Sequence, residues 1–447
     1  MMQVLVLGLY ILLLMVIGWF SSRKIKNESD FYVAGEQGSA WKVSGSLIAT
    51  VLGSSAIIGT MELSQKQSWA AAWLLLCGVI GLAALYPLAG RVKRLGKFTL
   101  PQLLANFYGD TAGRIAGMMI GLAWMGIIAA QIMGAAKILS AWMDWPVLHT
   151  MYGSTLVITV YTILGGQWSV IKTDFWQSII ILMALYLTGY FLMSVEGAVP
   201  LPKLTDHFPF EVNFQPVDLL LLLLTYASTF LVGPDIYSRI FCAKDEISAK
   251  RAVLISVVVI LPLAFLVPYL GMKAMTIYPD AVDVFHAFVG VVQNHLPGFL
   301  GILMILALLS AVISSADTTL LSAALILGQV IKPKVALPVK QSRIWMVVLA
   351  LLSFGLAWKM QSVIGSLLLG LSIYSGAFIL PMALGLMGYR GKAQFVHVAM
   401  VFGGVVAGIG KFIANSQPEL SALLIFAAFG LNLLFLFVGF EKWEKLR

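Results

Sequence analysis

The amino-acid sequence predicts an all-α, polytopic membrane protein of about thirteen transmembrane helices. Of its 447 residues, 60% are hydrophobic and only 11% are charged, whereas a soluble domain carries about 25% charged residues. Apolar runs of about 20 residues, the length that crosses a bilayer core, recur from Met2 to Phe440 with short polar breaks between them. Basic residues gather on alternate connections between those runs, the asymmetry expected when cytoplasmic loops hold the positive charge. The net charge of +9 is therefore topology, and no nucleic-acid surface is expected.

The first apolar segment, 2–21, has no basic stretch before it and is followed by Ser21-Ser22-Arg23-Lys24-Ile25-Lys26. Those flanks are the reverse of a signal peptide's, so the segment is expected to remain as a helix with its N-terminus outside. Segment 43–62 is small and hydroxyl-rich in its middle, from Gly45-Ser46 through Ala49-Thr50-Val51-Leu52-Gly53-Ser54-Ser55. Small residues there either allow close helix packing or mark an unwound stretch whose freed carbonyls coordinate an ion or solute. Segments 69–90, 114–142, 147–165 and 171–195 follow. Segment 217–242 contains a second candidate break at Val232-Gly233-Pro234, where proline removes a backbone donor. Segments 251–276, 296–331, 344–360, 363–389, 395–414 and 419–440 complete the set.

In this orientation the inward connections hold Arg23, Lys24, Lys26 and Lys42, then basic clusters within 91–97, 244–251, 332–343 and 442–447. The outward connections hold Lys66, Lys203, Lys273, Lys359 and Lys411. The C-terminus is thus expected in the cytoplasm. The outer loops near 197–216 and 276–297 are too short for a soluble domain and are expected to form lids or turns. Cys77 and Cys242 make no disulfide framework or metal cluster, the histidines lack ligand spacing, and no hydrolase, metalloprotease or phosphate-loop motif occurs. An enzyme is not expected, and neither is the output domain of a membrane sensor after Arg447.

Ionisable residues at membrane depth are rare and costly, so Glu62, Lys137, Asp174, Asp235, Arg239 and Asp317 stand out. Asp235 and Arg239 are four apart and are expected to pair on one helix. Lys137 is expected to snorkel toward the headgroups. Glu62 and Lys66 either pair at an outer helix end or face a vestibule. Ser310, Ser314, Asp317, Thr318 and Ser322 fall on one helical face. A hydroxyl stripe can bond neighbouring helices, but one that includes a carboxylate suits a hard cation such as sodium.

Several stretches also match in order. They are Ser29-Asp30-Phe31-Tyr32-Val33-Ala34-Gly35 with Gly45-Ser46-Leu47-Ile48-Ala49-Thr50, and Lys97-Phe98-Thr99-Leu100-Pro101-Gln102-Leu103-Leu104. Next come Tyr161-Thr162-Ile163-Leu164-Gly165-Gly166 leading to Thr173-Asp174-Phe175-Trp176-Gln177, and Gly233-Pro234 through Arg239 to Ala243-Lys244-Asp245. Ser314-Ser315-Ala316-Asp317 is the last. Across about residues 29 to 390 this series resembles the motifs of the sodium:solute symporter family, which carries proline, sugars, sialic acid and iodide. The resemblance implies a leucine-transporter-type core of two inverted five-helix repeats. Residues 1–42 form a leading helix and cytoplasmic loop, 43–195 the first repeat, 196–216 an extracellular loop, 217–390 the second repeat, and 391–447 two trailing helices. Five is odd, so the hydropathy topology also places the repeats in opposite senses.

Carried over by position, the resemblance implies a sodium site on the carbonyls of Ala49, Leu52 and Ala311 and the hydroxyls of Ser314 and Ser315. It implies a possible second sodium at Asp174, Ser314, Asp317 and Thr318. The solute is placed near Ser54, Ser55, Gln131, Tyr226 and Phe230, with Tyr374 as a candidate gate. The sugar-binding residues of glucose-type members and a carboxylate-binding arginine in core helix 3 have no counterparts here. The expected function is sodium-coupled uptake of a small organic solute, an amino acid or small organic acid, by alternating access. The expected setting is the lipid bilayer of the cell membrane, with the protein acting as a monomer. Proton coupling through Asp174 and Asp317, or a transporter-like sensor, is the alternative.

Overall fold

In a computed structural model the described residues are 2–22, 28–95, 99–331, 339–414 and 416–443. Basic residues expected on the inner face at Arg23, Lys24, Lys26, Lys97, Lys332, Lys334, Lys445 and Arg447 lie outside them, as does Phe98 of the third matching stretch. The leading helix α1 (Met2–Ser22) and a short α2 (Glu28–Val33) come first. The stretch expected to form the first repeat holds α3 (Ala40–Val51) and α4 (Ser54–Gln67), then α5 (Ala72–Leu95), a short α6 (Leu100–Tyr108), α7 (Asp110–Met143) and α8 (Val147–Met193). After α9 (Leu204–His207), the stretch expected to form the second repeat starts with α10 (Pro216–Leu222), a π turn at Leu223–Ala227, α11 (Ser228–Val232) and α12 (Pro234–Cys242). It continues with α13 (Glu246–Ile277), α14 (Val284–Asn294), α15 (Gly298–Ile331), α16 (Val339–Met360) and α17 (Val363–Met387). The trailing helices are α18 (Ala393–Phe412) and α19 (Pro418–Val438). A two-stranded ribbon, β1 (Tyr389–Gly391) with β2 (Phe440–Trp443), brackets them.

Among the described residues, 12 helices are long and apolar enough to cross a membrane, one of them the 42-residue run Ser54–Leu95. At 1.5 Å per residue that run is about twice as long as a ~30 Å hydrocarbon core requires. It turns at Ser68–Ala71, where Ser68 takes φ 49°, and so makes two crossings, giving the thirteen expected from hydropathy. Four short helices, α2, α6, α9 and α14, were not legible as apolar runs. The loop expected to hold lids or turns near 276–297 contains α14, whose first turn is capped by the Asp283 carboxylate accepting from the His286 amide at 2.8 Å.

Both of these stretches open on a broken helix. The first is interrupted at Leu52 (φ −83°, ψ 38°) and Gly53, the second at Gly233 (φ −72°, ψ 138°), with Pro234 starting the next half. Helices α7 and α15 form the centre, each 78% buried over its apolar window against 17% for α1. The density of Gly and Ala along α7, from Ala112 through Ala136, lets neighbouring backbones approach closely. α15 lies along α7 and α8, α13 along α5, and α17 along α7 and α18.

The two segments expected at 147–165 and 171–195 are continuous in hydrogen bonding but bend at Gly166, whose φ 55° and ψ −165° suit glycine alone. A Cβ there would also lie 2.6 Å from the Phe31 ring. Two of the matching stretches thus lock together, one by its aromatic ring and the other by the missing side chain. Gly166→Ala is expected to cost about 1–3 kcal/mol from the backbone alone, read as a lower melting temperature of the purified protein. An unchanged melting temperature would reject this role.

Candidate functional site: a hydroxyl-lined helix break beside a small cavity

The break in α3–α4 faces the polar stripe of α15. Ser314 Oγ lies 3.0 Å from the Ala49 carbonyl and 3.1 Å from that of Ala311, while Ser315 Oγ donates to the Thr50 carbonyl at 2.9 Å. Ala49, Ala311, Ser314 and Ser315 are therefore brought together. Leu52 stands at the break itself, and Thr50, absent from the expected set, supplies the carbonyl that Ser315 reaches. Gly53 is required here because a Cβ would sit 2.4 Å from Ser315 Oγ. Above it Ser54 donates through its amide and hydroxyl to Gln131 Oε1, at 3.2 and 2.7 Å, tying α4 to α7.

Next to this junction is a cavity of about 70 Å³, lined by Thr50, Ser55, Gln131, Tyr226, Phe230 and Ser315 together with Trp124, Thr229, Asp235 and Thr319. At roughly 10–15 Å³ per water, it has room for a small solute only. Ser55, Gln131, Tyr226 and Phe230 thus converge as expected, the two rings meeting edge-on at 5.0 Å. Ser54 contributes by holding Gln131. Tyr374, expected as a gate, does not line the cavity. It is fully buried behind Trp124, ring centres 4.9 Å apart, with its hydroxyl donating to the Val232 carbonyl at the second break.

The expected pairing of Asp235 with Arg239 is not formed. Asp235 turns toward the cavity and accepts from the Trp124 indole at 2.8 Å. The Arg239 guanidinium turns the other way and pairs with Asp174 at 2.9 Å, both side chains 0% exposed. Its Nη2 also donates to Thr318 Oγ1, and Ser46 donates to the same Asp174 oxygen at 2.5 Å. Thr318 in turn lies 3.2 Å from Asp317 Oδ1. Asp174, Asp317 and Thr318 are thus brought together, with the guanidinium bonded to Asp174 and Thr318. Lys137 does not snorkel, and Glu62 does not choose Lys66: the two form an ion pair at 2.6 Å. Behind the stripe, Ser310 meets Tyr10 of α1 at 2.8 Å.

Thr50, Trp124, Thr229 and Thr319 are cavity residues that the sequence reading missed. Thr319 lies one turn beyond Ser315 and could have been found by that spacing, whereas the Trp124–Asp235 bond joins positions 111 residues apart and leaves no local signal.

The profile of the sodium:solute symporter family matches residues 31–403. The chain belongs to the sodium:solute symporter family. Among curated proteins, the sodium/glucose cotransporter 4 of Danio rerio is 26% identical over 315 residues, covering 62% of this chain and 47% of that protein. The sodium/pantothenate symporter of Escherichia coli is 24% identical over 391 residues, covering 81% and 80%. The chain spans about half the length of the glucose cotransporters it matches. Among solved structures, a substrate-bound, outward-open Na+-coupled sialic acid symporter superposes with TM-score 0.82 at 16% identity, covering 99% of both chains. Mhp1, a nucleobase-cation-symport-1 family transporter, follows at TM-score 0.58 and 12% identity, covering 94% of this chain and 97% of that one. The fold is the leucine-transporter type, and these relatives and neighbours are transporters rather than enzymes.

Proposed function

We propose that this chain is a sodium-coupled symporter that carries a small, amine-bearing solute of amino-acid type into the cell by alternating access. The observation that carries the reading is the convergence of Ser314 and Ser315 hydroxyls on carbonyls freed at the α3–α4 break, against the wall of a small cavity. Carbonyl and hydroxyl oxygens are the donors a hard cation takes. A sodium ion there would draw α3 and α15 together and link ion binding to closure around the solute.

Asp235 favours an amine over a carboxylate as the solute's charged group. The cavity wall holds this carboxylate beside Trp124, Tyr226 and Phe230, and no lysine or arginine lines it. A carboxylate with aromatic faces attracts an ammonium group, and an organic acid would meet like charge. Proton coupling is not supported by the family. The sensor alternative finds no support among the relatives.

The two ends of the protein differ. A cavity of about 580 Å³ opens between Glu62, Lys66, Lys137, Lys359 and Lys411, whereas at the other end the crevice by Thr99, Gln167, Ser238 and Ser322 holds about 10 Å³. With the N-terminus outside and the C-terminus cytoplasmic, as the basic loops favour, the larger opening faces outward. In a plasma membrane at about 100 mV with a tenfold sodium gradient, one ion supplies roughly 2.3 plus 1.4 kcal/mol, enough for ~500-fold accumulation of a neutral solute.

The test is a thermal-shift screen of purified protein against amino acids, simple amines, organic acids, sugars and osmolytes, in sodium and in potassium. Stabilisation by an amine-bearing compound in sodium alone is expected. Equal shifts in both salts would reject sodium coupling, and a sodium-dependent shift confined to organic acids or sugars would reject the solute class.

A further inference from the structure

We infer that Arg239 is a resident cation that fills the place of a second sodium, so that one sodium, not two, binds per chain. The inference rests on the sodium-symporter reading and concerns the ion count alone. The residues expected around a second ion, Asp174, Asp317 and Thr318, do converge between α8 and α15, each fully buried. The guanidinium of Arg239 reaches across from α12 to two of them. It contacts the Asp174 carboxylate at 2.9 Å and the Thr318 hydroxyl with the same nitrogen.

Both partners of that nitrogen are oxygens a sodium ion would need. A carboxylate oxygen and a hydroxyl that already accept from a guanidinium are engaged, and a second cation would stand a few ångströms from a fixed positive charge in a water-poor interior, where repulsion is strong. Arginine stays protonated, so unlike a sodium ion this cation does not leave with the transport cycle.

Each carboxylate keeps one oxygen without a protein partner, Asp174 Oδ1 and Asp317 Oδ2. Removing the guanidinium would therefore expose a ready-made acidic site.

Equilibrium binding of radioactive sodium to the purified full-length protein reads the count directly. Wild type is expected to saturate at one sodium per chain. Arg239→Ala is expected to saturate at two, and Arg239→Ala with Asp317→Asn to return to one. Two sodium ions on wild type would overturn the inference while leaving sodium-coupled transport intact. A folded Arg239→Ala that still binds only one would also overturn it. No saturable sodium on wild type would overturn both this inference and the proposed function. Should Arg239→Ala not fold, the wild-type count decides alone, with Arg239→Lys, which keeps the charge, expected to stay at one.

Discussion

Replacing Ser314 and Ser315 together by alanine is expected to weaken sodium binding by about 10²–10⁴-fold while leaving a folded protein. A hydrogen-bonding group lost from a charged partner costs about 1.5–3 kcal/mol, two such losses give roughly 3–6 kcal/mol, and every 1.4 kcal/mol is a factor of about ten. The same hydroxyls bond the Ala49 and Thr50 carbonyls directly, so the double variant should also melt slightly lower in potassium, by the ~1 kcal/mol that each neutral hydrogen bond contributes. The two effects separate the roles. A merely structural pair of serines would lower the melting temperature equally in sodium and in potassium, whereas an ion site predicts that the stabilisation conferred by sodium disappears. Thermal melting of wild type and variant across a sodium titration, at constant ionic strength with potassium, distinguishes them. Retained sodium stabilisation in the variant would remove Ser314 and Ser315 from the site.

What was legible in the sequence was local. Hydropathy located the crossings, glycine and hydroxyl density marked the α3–α4 break, Gly233-Pro234 marked the second, and helical spacing put Ser310, Ser314, Thr318 and Ser322 on one face. Partnerships between distant segments were not legible. Arg239 has a carboxylate four residues away, where helix geometry offers a ready pair, yet it chooses Asp174, 65 residues distant. The reason lies in burial: an unpaired, fully enclosed carboxylate is far more costly than one beside a cavity. The guanidinium therefore goes where desolvation is complete, and Asp235 keeps the Trp124 indole. Glu62 behaves alike, passing over Lys66 for Lys137 across the α4–α7 junction. Spacing measures neighbours along one helix, and neither depth nor the facing helix enters it.

That rearrangement leaves Asp235 facing the cavity, where the proposed amine-bearing solute would meet it, and the expected consequence is large. Asp235→Asn is nearly isosteric, and its amide oxygen can still accept from the Trp124 indole, so the α7–α12 contact at 2.8 Å is preserved while the negative charge is lost. Losing one partner of a buried charge pair costs about 2–5 kcal/mol, or roughly 30- to 5,000-fold in affinity for an amine-bearing solute. Sodium binding at Ser314 without solute should change far less, because that site takes its oxygens from α3 and α15 rather than α12. Trp124→Phe should do the opposite, keeping the charge but removing the donor that orients it, and so weaken solute binding more modestly. Solute affinity in saturating sodium, measured beside sodium affinity without solute, separates the cases. An Asp235→Asn protein that binds its amine-bearing solute as tightly as wild type would show that the carboxylate faces the cavity without recognising what fills it. The hydroxyls of Ser55, Tyr226, Thr229 and Thr319 with the Gln131 amide would then be among the groups left to orient the solute.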